Sequence, residues 1–115
     1  MKADRLYHIT SEREARAAVQ AGKYTPATFN REGFIHCSYA PQVLATVNRI
    51  FRGRSDLVLL EIDPALLGCK VVDENLDGGT ELFPHVYGRL QMSAVVRIHA
   101  FPIDGPEFSA PRQET

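Results

Sequence analysis

Leu57-Val58-Leu59-Leu60-Glu61-Ile62 is the stretch around which the rest of the chain must be arranged. It is almost continuously apolar and is bounded by Asp56 on one side and Asp63-Pro64 on the other. A run of this length without alternation predicts a central strand covered on both faces. Such a strand needs covering layers, and the flanking sequence supplies them. Upstream, Val43, Leu44, Val47, Ile50 and Phe51 recur at helical spacing behind Pro41, and Gly53 follows as a stop, which predicts a helix from Pro41 to Arg52. Further upstream, Ser11-Glu12-Arg13-Glu14 has the form of a capping box ahead of the apolar stripe Ala15, Ala18 and Val19, so a first helix ends near Gly22. The segment Lys23 to Glu32, with Pro26 and Asn30, lacks periodicity and reads as a loop. Downstream, Pro64 to Leu67 reads as one helical turn, and Lys70 to Asp73 and Ala94 to Phe101 read as strands, with a turn at Gly78-Gly79. Two helices in the N-terminal half and strands concentrated in the second half make this an α+β chain, not a doubly wound repeat.

A length of 115 residues, 44% of them hydrophobic, suits a single domain over residues 1–115, with an ordered core from about 5 to 102 and a ragged tail from Pro102. Lys and Arg number 13 against 14 Asp and Glu, which excludes a broad nucleic-acid surface and gives no membrane-binding face. No apolar run approaches bilayer length and Met1 to Arg5 lacks a signal-like apolar region, so the chain reads as soluble and cytoplasmic. Cys37 and Cys69 are too few and too far apart for a disulfide framework and read as reduced, packed thiols. There is no internal repeat, no P-loop and no Gly-x-Gly-x-x-Gly.

Three short apolar segments each carry one histidine: Leu6-Tyr7-His8-Ile9-Thr10, Gly33-Phe34-Ile35-His36-Cys37-Ser38 and Phe83-Pro84-His85-Val86-Tyr87-Gly88. Strand alternation places Leu6 with His8, Phe34 with His36 and Ser38, and Phe83 with His85 and Tyr87. Imidazoles on core strands are costly without partners or a task. His36 and Ser38 come just ahead of the helix starting near Pro41, where unsatisfied amides favour an anion. Pro84 suggests an edge or bulged strand that re-aims His85. His99 shares a face with Arg97 and reads as a surface residue. Glu61 and Glu81 matter only if they face the histidines, and Asp73, Glu74 and Asp77 precede a turn and read as solvated. Cys37 alternates away from His36, which argues against a Cys-His pair. None of the histidine spacings is a local zinc motif, and no metal is expected.

These segments, together with Leu59-Leu60-Glu61-Ile62-Asp63 and Leu82 to Leu90, resemble the signatures of a small bacterial domain-of-unknown-function family, number 952. The resemblance covers about Leu6 to Phe101. It implies the fold of ADP-ribosyltransferases, with two N-terminal helices packed on a mostly antiparallel, split β-sheet. In such enzymes a first-strand histidine followed by Gly and Thr or Ser holds the ribose of NAD. His8 and Thr10 stand at the matching places, with Ile9 where glycine is usual. Gly33 to Ser38, leading into a helix, is similar to the second motif, with His36 near its aromatic position and Ser38 as its hydroxyl residue. RNA 2′-phosphotransferases of the same fold use a histidine in this region. The third motif normally brings a catalytic glutamate, but Phe83 to Tyr87 has none at its centre, which argues against ordinary ADP-ribosyl transfer.

The sequence therefore predicts one small pocket lined by His8, His36 and His85, with Thr10, Ser38 and Tyr87 supplying hydroxyls. Its expected ligand is NAD, ADP-ribose or another phosphorylated nucleotide or RNA end. His85 or His36 is the expected general acid or base, and His8, Thr10, Ser38 and Tyr87 the expected binding residues. The alternatives are a non-catalytic module that kept the fold and, more weakly, a metal-dependent hydrolase.

Overall fold

Strand β1 (Leu6–Ser11) runs directly into helix α1 (Glu12–Ala21). Ser11 caps the helix by accepting the Glu14 N–H at 3.0 Å, and Gly22 ends it in the left-handed conformation, φ 82°, which suits a residue without a Cβ. A two-residue strand β2 (Lys23–Tyr24) and a single-turn helix α2 (Phe29–Glu32) follow, then strand β3 (Ile35–His36). A 3₁₀ turn over Ala40–Gln42 leads into α3 (Val43–Ile50). The second half holds β4 (Leu57–Ile62), a 3₁₀ turn at Pro64–Leu66, β5 (Lys70–Glu74), β6 (Phe83–Tyr87), β7 (Leu90–Gln91), a 3₁₀ turn at Met92–Ala94 and β8 (Val95–Ala100). The computed structural model describes residues 4–26, 29–76 and 78–101; the tail expected from Pro102 lies outside the described residues.

All strand pairings among the described residues are antiparallel, in sheets ordered β1-β4-β8, β3-β6-β5 and β2-β7. The two larger sheets meet at one bridge, where Tyr7 and Ser38 exchange both backbone hydrogen bonds at 2.8 Å. β4 lies at the centre of the first sheet, and its two faces feed two clusters. Val58, Leu60 and Ile62 join Leu6, Ala15, Ala18, Ile35, Cys37 and Val86, so one core serves the inner faces of both sheets. Leu57 and Leu59 join Tyr7, Ile9 and Val43 beneath α3. The fully buried Leu59, Leu60 and Ile62 each contribute roughly 1.5–3 kcal/mol of apolar burial.

Two expectations are corrected here. The stretch Lys23 to Glu32 is not all loop, because Tyr24 pairs with Leu90 and Phe29–Glu32 forms a helical turn. Pro84 is not on an edge or a bulge, since β6 is the middle strand of its sheet. The proline sits where its missing donor ends a ladder. Cys37 N–H donates to the Pro84 carbonyl at 3.0 Å, but the return bond needs an N–H that proline lacks. Pairing of β3 with β6 therefore stops after His36, and Ser38 crosses to β1.

Candidate functional site

The register of the second sheet gathers the chemically active residues on its outer face. His36 opposes His85, while Val72 opposes His85, Lys70 opposes Tyr87 and Glu74 opposes Phe83. Cross-strand partners share a face, so these side chains point away from Ile35, Val86 and the common core. Phe34 forms the floor. Its ring stacks on His85 with centroids 4.3 Å apart at 13°, meets His36 edge-on at 4.8 Å and lies 5.2 Å from Tyr87. The His36 and His85 rings meet at 4.9 Å and 76°.

Glu74 organises this patch. Its Oε2 accepts the Nδ1–H of His85 at 2.9 Å and also the Tyr87 hydroxyl. Those two bonds hold the Glu74 carboxyl below its usual range, the Tyr87 bond contributing most, and the carboxylate in turn raises the Tyr87 phenol. A carboxylate accepts only, so His85 must carry its proton on Nδ1. Its Nε2 has no hydrogen-bond partner among the described residues. His85 is buried while His36 is exposed, so the pair spans the boundary between interior and water. His36 Nε2 lies 3.0 Å from Glu32 on α2, which gives each imidazole a carboxylate of its own. Two cations flank the patch: Lys70 Nζ lies 5.8 Å from the Tyr87 ring centroid, and the Arg49 guanidinium on α3 lies 5.8 Å from that of Phe83.

His8 takes another position. Its ring fills the gap where β1 and β3 diverge, with Nδ1 2.6 Å from the His36 carbonyl and Nε2 2.9 Å from the Tyr24 hydroxyl. Continuing the Tyr7–Ser38 pairing would next set Ile9 against the His36 carbonyl; the imidazole occupies that acceptor instead. Burial lowers the His8 pKa, and both ring nitrogens are engaged within the protein. Thr10 is buried on the same side as His8, between Tyr24 and Glu14. Ser38 is also buried, and its hydroxyl lies 3.5 Å from that of Thr46 on α3. Of the predicted site residues, the structure thus assembles His36, His85 and Tyr87 on one face. His8 is joined to that group through a backbone carbonyl, and Thr10 and Ser38 are directed elsewhere.

Residues 9–98 match the model of a family described as Protein of unknown function (DUF952). The chain belongs to that family. Similar solved structures include the X-ray structure of protein CC0527 from Caulobacter crescentus, which superposes with a TM-score of 0.75 at 36% identity, covering 87% of this chain and 88% of that one. The solution NMR structure of the same protein gives a TM-score of 0.74 at 36% identity, covering 87% and 86%. No curated protein matches the chain.

Glu74, read from the sequence as a solvated residue ahead of a turn, instead ends β5 and bonds His85, because the strand predicted to end at Asp73 runs one residue further. One further residue of alternation would have set Lys70, Val72 and Glu74 on one face. Among the described residues no three His, Cys, Asp or Glu side chains come together as a metal site. Burial pushes the Cys37 thiol up, the opposite of what a nucleophilic cysteine requires. His99, read as a surface residue, instead lies 2.7 Å from Glu61, and neither belongs to the histidine face. Glu81 is held by Gln42 at 3.0 Å. No helix of the described residues is long and apolar enough to cross a membrane.

Proposed function

We propose that the outer face of β3-β6-β5 binds a phosphate-bearing nucleotide, such as NAD, ADP-ribose or an RNA end, and catalyses transfer at its ribose or phosphate. The observation that carries this reading is the Glu74–His85 pair, whose fixed tautomer leaves Nε2 open beside the exposed imidazole of His36. His85 Nε2 is the general base in this reading, and His36 the group that donates or receives the second proton. Phe34 and Tyr87 offer aromatic faces for a base or ribose, while Lys70 and Arg49 supply positive charge for phosphate oxygens.

The split antiparallel sheet, with the Gly33 to Ser38 segment entering a helix, supports the further reading of an ADP-ribosyltransferase-like fold. Glu74 supports transfer chemistry as well, because it places beside His85 a carboxylate that Phe83 to Tyr87 lacks. Two free thiols accord with a reducing compartment, and we place the protein in the cytoplasm.

Isothermal calorimetry with NAD, ADP-ribose and a 2′-phosphorylated oligonucleotide tests the proposal. Binding by at least one of them, weakened in both His85→Ala and Lys70→Ala, is the expected result. Absence of binding by all three overturns it.

A further inference from the structure

We propose that Glu14, Thr10, Tyr24 and His8 form a one-proton relay running from the surface of α1 to the seam between the two sheets. Four short links make the path: His8 Nδ1 to the His36 carbonyl at 2.6 Å, His8 Nε2 to the Tyr24 hydroxyl at 2.9 Å, Tyr24 to Thr10 at 3.1 Å and Thr10 to Glu14 at 2.7 Å. Each link needs one hydrogen. Neutral His8, Tyr24 and Thr10 supply one each, while the His36 carbonyl and an ionised Glu14 only accept. The chain is therefore one proton short when both ends are deprotonated.

A single added proton completes it in either of two ways. On His8, the imidazolium donates to both the His36 carbonyl and Tyr24, Tyr24 donates to Thr10, and Thr10 donates to the Glu14 carboxylate. On Glu14, the carboxyl donates to Thr10, Thr10 to Tyr24 and Tyr24 to neutral His8. Passage between these states moves the Glu14 proton to Thr10 Oγ1, the Thr10 proton to the Tyr24 oxygen and the Tyr24 proton to His8 Nε2. The net result is transfer of one proton from Glu14 to His8. In both states Nδ1–H remains on the His36 carbonyl, so the seam is held while the proton moves.

The surroundings suit such a path. Thr10 and Tyr24 are 4% and 5% exposed, so water does not compete for the interior links. Glu14 and Tyr24 border a shallow surface hollow with Ala17, Ala21, Lys23 and Thr25, which gives the outer end access to solvent. Facing His8 are His36 from β3, which opposes positive charge, Glu14 from α1, which favours it, the Tyr24 phenol from β2 and apolar Leu60 from β4. Burial pushes the Tyr24 phenol up to about 12, so it carries its proton throughout and serves as a conductor. The relay is independent of what the outer face binds.

Nuclear magnetic resonance titration of the full chain tests it, following the ¹⁵N signals of the His8 ring and the ¹³C signal of the Glu14 carboxyl. The expected result is a shared first protonation step visible at both residues. Thr10→Val removes the middle hydroxyl and splits that step into two unrelated titrations. Glu14→Gln, on the exposed side of α1, supplies a permanent donor to Thr10 and fixes His8 as the neutral Nδ1–H tautomer. Unrelated midpoints in the intact protein overturn the relay, as does a His8 titration unchanged in both variants.

Discussion

Among the described residues, each of the two larger sheets has one histidine–glutamate pair that joins its own neighbouring strands, and the two pairs are placed differently. In β1-β4-β8, His99 spends its Nε2 on Glu61 at 2.7 Å, and Arg5 lies 3.7 Å from the same carboxylate. In β3-β6-β5, His85 spends its Nδ1 on Glu74 and leaves its Nε2 open. The first sheet is covered on one face by α3 and on the other by the shared core, whereas the second has the core on one face and aromatic rings and imidazoles on the other. A pair of the same two residue types thus fastens neighbouring strands on the covered sheet and, in the function proposed above, supplies the base on the open one.

The core that the two sheets share couples them. Leu60→Ala should destabilise the protein by about 2–5 kcal/mol, because a completely buried side chain leaves a cavity. In urea unfolding followed by resolved amide signals, β4 and β6 should melt together. Separate midpoints would mean that the sheets are independent bodies.

The next test sets the two pairs against each other. His85→Ala should weaken nucleotide binding by about 10–150-fold, the equivalent of roughly 1.5–3 kcal/mol for a bond to a charged group. His99→Ala should leave the dissociation constant unchanged while lowering the unfolding midpoint. Equal losses of affinity in both variants would erase the distinction between fastening and base.

Gly88 gives a smaller effect, confined to the open sheet. A Cβ there would lie 2.7 Å from both Cβ and Sγ of Cys69, so Gly88→Ala should cost about 1–3 kcal/mol through overpacking. Adding Cys69→Ala should recover part of that loss in thermal unfolding, and no recovery would count against the contact.

The last and smallest effect is pH dependence. Glu74 is held below its ordinary 4.5 in the fold, so its stabilisation is complete above that value and is lost as the pH falls through the lowered one. His8 is lowered from 6.5 by burial; the unfolded chain takes up its proton first, and stability begins to fall as the pH drops through 6.5. Urea midpoints across this range should show both losses. Glu74→Gln should remove the lower one and leave the upper.

The β1-β4-β8 half was the more legible in the sequence. Leu57 to Ile62 announced a central strand because its burial on both faces is written into consecutive residues, and the helix behind Pro41 repeats at its own period. Ser11 caps α1 as its motif predicts, but the Glu14 carboxylate turns to Thr10, so the reciprocal half of the capping box is replaced by a link in the relay. The open face and the seam depended on partners that are distant in the chain. Glu74 reaches His85 across 11 residues and Tyr24 reaches His8 across 16, separations at which no local pattern operates. Pro84 misled because a missing donor was taken to require an edge, whereas it falls where a ladder can end. Phe34 was visible as the alternation partner of His36, but stacking on His85 depends on a register set by another strand.

The single Tyr7–Ser38 bridge has a further consequence, in the order in which the molecule opens. A local opening at this line breaks two backbone hydrogen bonds and the His8 contact with the His36 carbonyl, while every ladder of either sheet and the core they share survive. Global unfolding must break the ladders as well. The amide protons of Tyr7 and Ser38 therefore exchange through a local fluctuation of lower free energy than those at the centre of β4, and the seam breathes before the sheets do.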